Sequence, residues 1–321
     1  MDRITVTALA LKVTSEGEAY KFMEEMRWAN GVVCPHCGSI AEHYFLKPKA
    51  SSGRTTRTGA VTERRLWKCR DCRKQFSVTT GTVMHGSKVS LRIWLFVMFE
   101  MSANKNGIAA REIERKYGVA SRTAWFMTHR LREAMKRTSP DHLIGDIVVD
   151  ETYIGGDPRN WHANDPRREG MKRGRGAAHK TPVLAIIDAK TGEARSRVVP
   201  NVSGRTLRKA IAENVILGES TLHSDKWTGY IGVGQEMAGH HRVDHDAGEY
   251  ITEKSNGTNM AENYFSQLKR SLDGTHHHVS VEHLPRYLAE FDFRYTYCTD
   301  SDTARMNRLM GRVGGRRLQY R

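Results

Sequence analysis

Four of the five cysteines fall into two Cys-x-x-Cys pairs, Cys34-Pro35-His36-Cys37 and Cys69-Arg70-Asp71-Cys72, with 31 residues between them. A tight turn with a thiolate at each end offers two sulfurs to one side of a tetrahedral ion, and a second such turn completes a four-sulfur shell. Cys34, Cys37, Cys69 and Cys72 are therefore read as ligands of one structural Zn²⁺, and residues 31–80 as a small zinc ribbon. No β-α-β pattern flanks either pair, which argues against a redox role. A disulfide framework fits poorly in a chain of 321 residues that opens Met1-Asp2-Arg3 with no apolar leader, so a reduced cytoplasm is the expected compartment. Between the pairs, Ser51 to Gly59 reads as an exposed hairpin tip. Lys68, Arg70, Arg73 and Lys74 ring the second pair and suit phosphate, and Cys298 is expected to be a core thiol.

Lys and Arg number 51 against 36 Asp and Glu, giving a formal net charge of +15 and a pI near 9.7. Such a surplus bears on partners, and its usual partner is nucleic acid, bound through its phosphates with release of counterions. Ribosome-bound and anionic-membrane-bound proteins share the bias. An apolar content of 39% excludes disordered and fibrous classes. The longest apolar run, Ile93 to Phe99, is seven residues, whereas a membrane span needs about 20, so no membrane partner is expected.

Residues 1–30 read as a helical lead-in, with Tyr20, Phe22, Met23, Met26 and Trp28 on a roughly helical period. Residues 88–137 are helical in pattern throughout. Ala109 to Tyr117 forms one amphipathic helix, Gly118-Val119-Ala120 a turn, and Ser121 caps a second helix that runs through Trp125, Phe126, His129 and Leu131 to Met135. That order matches a DNA-binding helix-turn-helix in which Arg122, Thr123 and His129 face a groove; an ordinary αα-hairpin is the competing reading.

Pro140 and Gly145 mark a boundary, after which the texture turns to strands: Ile147-Val148-Val149, Val183 to Ile187, and the alternating Arg195 to Val199. Ser203 caps a helix over Leu207 to Val215, Ser220 to Ser224 is a short strand, and helices at about 259–272 and 283–297 close the core. Residues 298–321 remain as a basic tail, with Arg312, Arg316, Arg317 and Arg321 on a frayed end. The fold class is α/β (α+β overall), an RNase H-like mixed-sheet core over 145–297 preceded by the zinc ribbon and the helix-turn-helix.

Three acids carry the chemistry. Asp150 closes the run Ile147-Val148-Val149, Asp225 closes the strand from Ser220, and Glu262 lies on a helix with Ala261, Tyr264, Phe265 and Leu268. Each alone is also what an ordinary turn or helix surface would carry. Together they match phosphoryl transfer by two hard cations about 3.5–4 Å apart, which needs carboxylate oxygens converging from separate elements. Lys269 stands seven residues beyond Glu262, two helical turns on and on the same face, where its ammonium would hold a DNA phosphate. Arg159, Arg167, Arg168, Lys172, Arg173, Arg175 and Lys180 form a Gly-containing basic loop, of which Arg173 and Arg175 are read as DNA contacts. His276-His277-His278 reads as a loop that packs or touches DNA rather than as a metal tract.

Several stretches also resemble a known family. Arg27 to Gly38, Phe76 to Val83 and Ala124-Trp125-Phe126-Met127 are similar to the front half of bacterial insertion-sequence transposases of the ISXO type. Asp150-Glu151-Thr152-Tyr153-Ile154-Gly155-Gly156, His223-Ser224-Asp225 and Asn259 to Arg270 resemble that family's three catalytic segments, and His276 to Ser280 with Tyr287 to Tyr295 continues the likeness. The resemblance implies a DDE-type DNA transposase that binds the ends of an insertion sequence, cleaves them and joins the 3′-OH to target DNA. It makes Asp150, Asp225 and Glu262 the ligands of Mg²⁺ or Mn²⁺, with Lys269 as the associated basic residue and Glu151 in support. The family tolerates Asn at the third position, so Asn263 is the alternative to Glu262. It implies double-stranded DNA as partner, a homo-oligomer on that DNA, and a nucleoid-associated place in the cytoplasm. A non-catalytic DNA-binding regulator and an RNase H-like nuclease without strand transfer are the competing classes.

Overall fold

A computed structural model describes residues 4–48, 54–55, 59, 61–137, 139–156, 180–243 and 259–318. The chain divides into two units, Met1–Met135 with Thr299–Arg321, and Lys136–Cys298. The first begins with α1 (Val6–Lys12) and α2 (Glu16–Arg27). At the start of α2 the Ser15 hydroxyl accepts from the Glu18 N–H at 3.2 Å, and Ala19, Tyr20, Phe22 and Met23 turn inward on the expected period.

The ribbon follows. Strands β1 (Tyr44–Leu46), β2 (Arg54–Thr55), β3 (Val61–Thr62), β4 (Leu66–Lys68) and β5 (Gln75–Phe76) are short. They form a three-stranded sheet in the order β1-β4-β5 and a two-stranded antiparallel pair, β2 with β3, at the expected hairpin. Its buried centre is Cys34, Cys69 and Phe76, flanked by Trp28, Val32 and Trp67.

Three helices then build the rest of this unit: α3 (Leu91–Ala103), α4 (Ala110–Tyr117) and α5 (Ser121–Met135). Glu16 of α2 supplies the cap that Ser90 does not: its carboxylate accepts from the N–H groups of Leu91 at 2.7 Å and Arg92 at 3.3 Å. Between α4 and α5 the chain reverses at Gly118, whose φ of 63° lies in the left-handed region.

The second unit is a five-stranded sheet with helices on both faces. Its elements are β6 (Leu143–Ile154), β7 (Thr181–Asp188), β8 (Ala194–Val198), α6 (Gly204–Ala212), β9 (Val215–Asp225), the short α7 (Ile231–Gly234), β10 (Gly239–Val243), α8 (Asn259–Ser271) and α9 (Leu284–Thr296). The spatial order is β10-β9-β6-β7-β8, with β6, β7 and β8 antiparallel and β9 and β10 parallel to β6. This is the expected RNase H-like mixed sheet. Ile147, Val149, Leu184, Ile186 and Leu222 pack under α6 on one face, and Val148, Val183, Ala185 and Ile187 pack under α8 and α9 on the other. Cover on both faces explains why Val183 to Ile187 is an unbroken apolar run. The helix expected over Leu207 to Val215 stops at Ala212, because Val215 already belongs to β9.

Residues 299–318 belong to the first unit, and the tail expected to be frayed is folded there through α10; Arg321 lies outside the described residues. Helix α10 (Asp302–Gly311) is capped by Ser301 and buries Met306, Leu309 and Met310 against α2 and α3. Val313 is buried beyond it, and its carbonyl accepts from the Val83 N–H at 3.0 Å. Apolar residues at helical spacing outweigh the arginines among them. Cys298, expected in the core, is exposed. Among the described residues no helix is long and apolar enough to cross a membrane.

Candidate active site

Strand register brings the first two acids together. β6 and β9 run parallel with Ile147 opposite Leu222 and Val148 opposite His223. Two positions further along each strand stand Asp150 and Asp225, level with one another and projecting to the same face. That is the face on which Val148 packs against Ala261, Tyr264 and Phe265 of α8. Glu151, one residue on, projects to the opposite face, the side of Val149 and Tyr230.

Asp150 and Asp225 are half-buried, and each accepts one backbone hydrogen bond: Asp150 Oδ1 from the Glu151 N–H at 2.8 Å, Asp225 Oδ1 from the Trp227 N–H at 3.0 Å. Burial pushes the Asp150 carboxyl up to about 7, opposed by the Glu151 N–H and reinforced by the charges of Glu151, Asp225 and Glu262. All the acids singled out in the sequence thus act on one carboxylate. Burial raises Glu151 as well, against the Tyr230 hydroxyl that hydrogen-bonds it. On α8, Ala261, Tyr264, Phe265 and Leu268 face the sheet, leaving Glu262, Asn263 and Lys269 exposed. Asn263 Oδ1 accepts from the Gln267 side-chain amide along that exposed side.

Sequence reasoning missed the groups that seat this helix. Asp292 of α9 accepts from Ser196 N–H at 2.9 Å, Ser196 Oγ at 2.8 Å and Tyr264 Oη at 2.6 Å, tying α9, β8 and α8 together. Tyr230, whose hydroxyl meets Glu151, was missed too. The only signal for Tyr230 is its place five residues after Asp225.

In the first unit the cysteines converge. Cys34 and Cys72 sulfurs are 3.7 Å apart, as are those of Cys37 and Cys69, and all four lie within 4.8 Å of one another. A tetrahedron with Zn–S bonds of about 2.3 Å has edges of about 3.8 Å, so the four residues fit one zinc ion. The two knuckles repeat one geometry. Cys34 N–H donates to Ser39 O and Cys69 N–H to Lys74 O, and the residue after each pair is left-handed, Gly38 at φ 75° and Arg73 at φ 60°. Among the described residues these cysteines are the one group of three or more His, Cys, Asp or Glu gathered that closely, so the three acids do not close round a single point.

The helix-turn-helix reading needs one correction. Arg122 is exposed and Thr123 half-buried at the start of α5, but His129 is wholly buried, with its ring against Trp125 at a centroid distance of 4.2 Å. Only the first half of α5 lies at the surface; Met127, Thr128, Leu131, Arg132, Ala134 and Met135 are buried with His129. A groove of about 1030 Å³ runs beside that first half, and its lining includes Lys88, Arg122 and Arg130 but no acid. Arg173 and Arg175, with the rest of the basic loop up to residue 179, lie outside the described residues. In the His276–His278 tract, His276 packs edge-on against Tyr287 at 4.8 Å.

Residues 142–296 match the family model of the ISXO2-like transposase domain, and residues 14–75 match that of the transposase zinc-ribbon domain. The chain carries an ISXO2-like transposase domain and a transposase zinc-ribbon domain. The transposase-domain match contains Asp150, Asp225, Glu262 and Lys269, and the zinc-ribbon match contains all four paired cysteines. The chain is also similar to a protein described as "Uncharacterized protein in transposable element ISH50" from Halobacterium salinarum, with 29% identity over 286 residues, covering 87% of this chain and 90% of the relative. A solved structure of the simian T-cell lymphotropic virus intasome with PP2A regulatory subunit B56 gamma is a distant neighbour. It is 12% identical with a TM-score of 0.26, over 56% of this chain and 63% of that one. Helices α4, α5 and α10 of the chain fall outside both family matches.

Proposed function

We propose that this protein is a transposase, a polynucleotidyl transferase that binds the ends of its insertion sequence in double-stranded DNA, cuts them and joins the freed 3′-OH to target DNA. The observation that carries this reading is the pair Asp150 and Asp225, level on adjacent parallel strands beneath α8, with the Glu262 charge bearing on Asp150. A set of oxygen donors with mutually repelling charges suits hard divalent cations, Mg²⁺ or Mn²⁺, held by Asp150, Asp225 and Glu262. Exchange of one phosphate oxygen for another suits a pair of such ions, one beside the attacking oxygen and one beside the leaving oxygen. Such ions, when bound, supply a nucleophile at neutral pH and neutralise charge on the reacting phosphate. Glu262 is preferred to Asn263 as third ligand, since its charge bears on Asp150 and Lys269 follows it by two helical turns.

The protein's own groups bind and orient. Lys269, on the same exposed side of α8 as Glu262, holds a DNA phosphate beside the acids. Arg122 and Thr123 at the surface start of α5 contact the element end, and the cationic groove beside them and the basic loop with Arg173 and Arg175 hold its backbone. In the first step a water oxygen forms a bond to the scissile phosphorus as the 3′ oxygen leaves with a proton. In the second, that 3′-OH attacks a target phosphodiester, and one P–O bond replaces another with no covalent enzyme intermediate. Cutting both ends in one event calls for at least two copies on the DNA.

The test is joining of a pre-cut 3′-OH end to target DNA with Mg²⁺ or Mn²⁺. Asp150→Asn is expected to lose about 10³-fold or more in joining, equivalent to about 4 kcal/mol, while end binding changes by no more than about twofold. Joining near the wild-type rate would remove Asp150 from the site. Hydrolysis without joining would make the protein a nuclease, and end binding with neither would make it a regulator.

A further inference from the structure

We infer that Glu151 and Tyr230 form a latch that sets the spacing between Asp150 and Asp225, and that both are positioning residues for the divalent-ion site. This rests on the reading of those aspartates as ion ligands. Glu151 projects away from the acids, onto a face otherwise built of Ile147, Val149, Leu207, Val233 and Met237. A carboxylate there is costly unless it is hydrogen-bonded. Its partner is Tyr230, 0% exposed, whose hydroxyl donates to Glu151 Oε2.

Tyr230 ends the 3₁₀ turn Thr228–Tyr230, the first structure after Asp225. The turn is held at each step: Tyr230 N–H donates to Trp227 O at 3.2 Å, Trp227 N–H to Asp225 Oδ1 at 3.0 Å, and the Trp227 indole N–H to Val202 O at 3.3 Å. A Cβ at Gly229 would stand 2.5 Å from the Trp227 indole nitrogen, so the indole packs directly over a residue with no side chain. On the other strand the Glu151 N–H donates to Asp150 Oδ1. A chain of hydrogen bonds therefore runs from Asp150 through Glu151 and Tyr230 to Trp227 and Asp225. It links β6 and β9 beyond the last pair that these two strands share, Val148 with His223. A phenylalanine would fill the same apolar pocket; the hydroxyl serves Glu151.

The experiment measures Mn²⁺ binding to the full-length, zinc-loaded chain by the electron paramagnetic resonance of free Mn²⁺, together with the melting temperature without Mn²⁺. Tyr230→Phe is expected to weaken Mn²⁺ binding about 10-fold or more, the usual cost of losing a group that orients a ligand. Glu151→Gln, which keeps an oxygen for the Tyr230 hydroxyl, is expected to stay within about threefold. The Tyr230→Phe loss is expected to vanish in a Glu151→Ala background, as it must for two groups acting through one contact. Leu207→Val, a core change on the same face, is expected to lower the melting temperature while leaving Mn²⁺ binding unchanged. Equal binding by wild type and Tyr230→Phe, or an undiminished loss in the Glu151→Ala background, overturns the latch. Asp150→Asn separates the two readings. If it binds Mn²⁺ as wild type does, the ion site fails and the latch with it; if it abolishes binding, an unchanged Tyr230→Phe overturns the latch alone.

Discussion

A carboxyl held near pH 7 makes ion uptake depend on pH in a range where ordinary acids are silent. Asp150 is pushed up to about 7 by burial and by the neighbouring charges of Glu151, Asp225 and Glu262. A hard cation needs its ionised form, so binding releases one proton for as long as that proton is still present. With a pKa of about 7, about nine in ten Asp150 side chains are ionised at pH 8 and about one in eleven at pH 6. Mn²⁺ affinity is therefore expected to fall about tenfold between pH 8 and pH 6 and to level off above pH 8. A carboxyl at its ordinary value near 4 would leave affinity flat over that interval. In the ion-free protein the sign reverses. The fold favours the neutral acid, so this residue's contribution to stability is full below about pH 4 and is lost as pH rises through about 7. Titration of Mn²⁺ at pH 6, 7 and 8 by calorimetry reads the effect. Wild-type affinity that is constant from pH 6 to pH 8 would refute the crowding of acids round Asp150.

Removal of zinc with a chelator is expected to abolish amide protection across residues 31–75 while that of β6, β7 and β9 persists, read by hydrogen exchange; protection that survives would show a ribbon independent of the metal. Arg122→Ala is expected to weaken end binding and reduce its salt slope by about 1, whereas a His129 substitution changes stability but not the slope, because His129 is buried. Leu309→Ala is expected to destabilise the protein by about 2–5 kcal/mol, since Leu309 is 0% exposed in α10. A change under about 0.5 kcal/mol would restore the frayed-tail expectation.

Much of this was legible in the sequence because it rests on local chemistry. The cysteine spacing foretold a knuckle pair, the run ending in Asp225 foretold a strand end, and Gly118 between two amphipathic stretches foretold the α4–α5 turn, whereas the strand through Asp150 runs on to Ile154. What escaped depends on enclosure. His129 sits seven residues from Arg122, nominally the same helix face, yet the second half of α5 is surrounded by other elements and its first half is not. α10 was hidden because the arginines that follow it, Arg312, Arg316 and Arg317, give the stretch its basic character while Met306, Leu309 and Met310 do the packing. Tyr230 and Asp292 meet partners 79 and 96 residues away, in Glu151 and Ser196, contacts that no local pattern encodes.

The most direct test is anomalous diffraction from Mn²⁺ in crystals of the chain with an element-end DNA. Two peaks about 3.5–4 Å apart are expected, bounded by the carboxylates of Asp150, Asp225 and Glu262. Density for no ion there, or for ions held by other residues, would contradict the proposed chemistry.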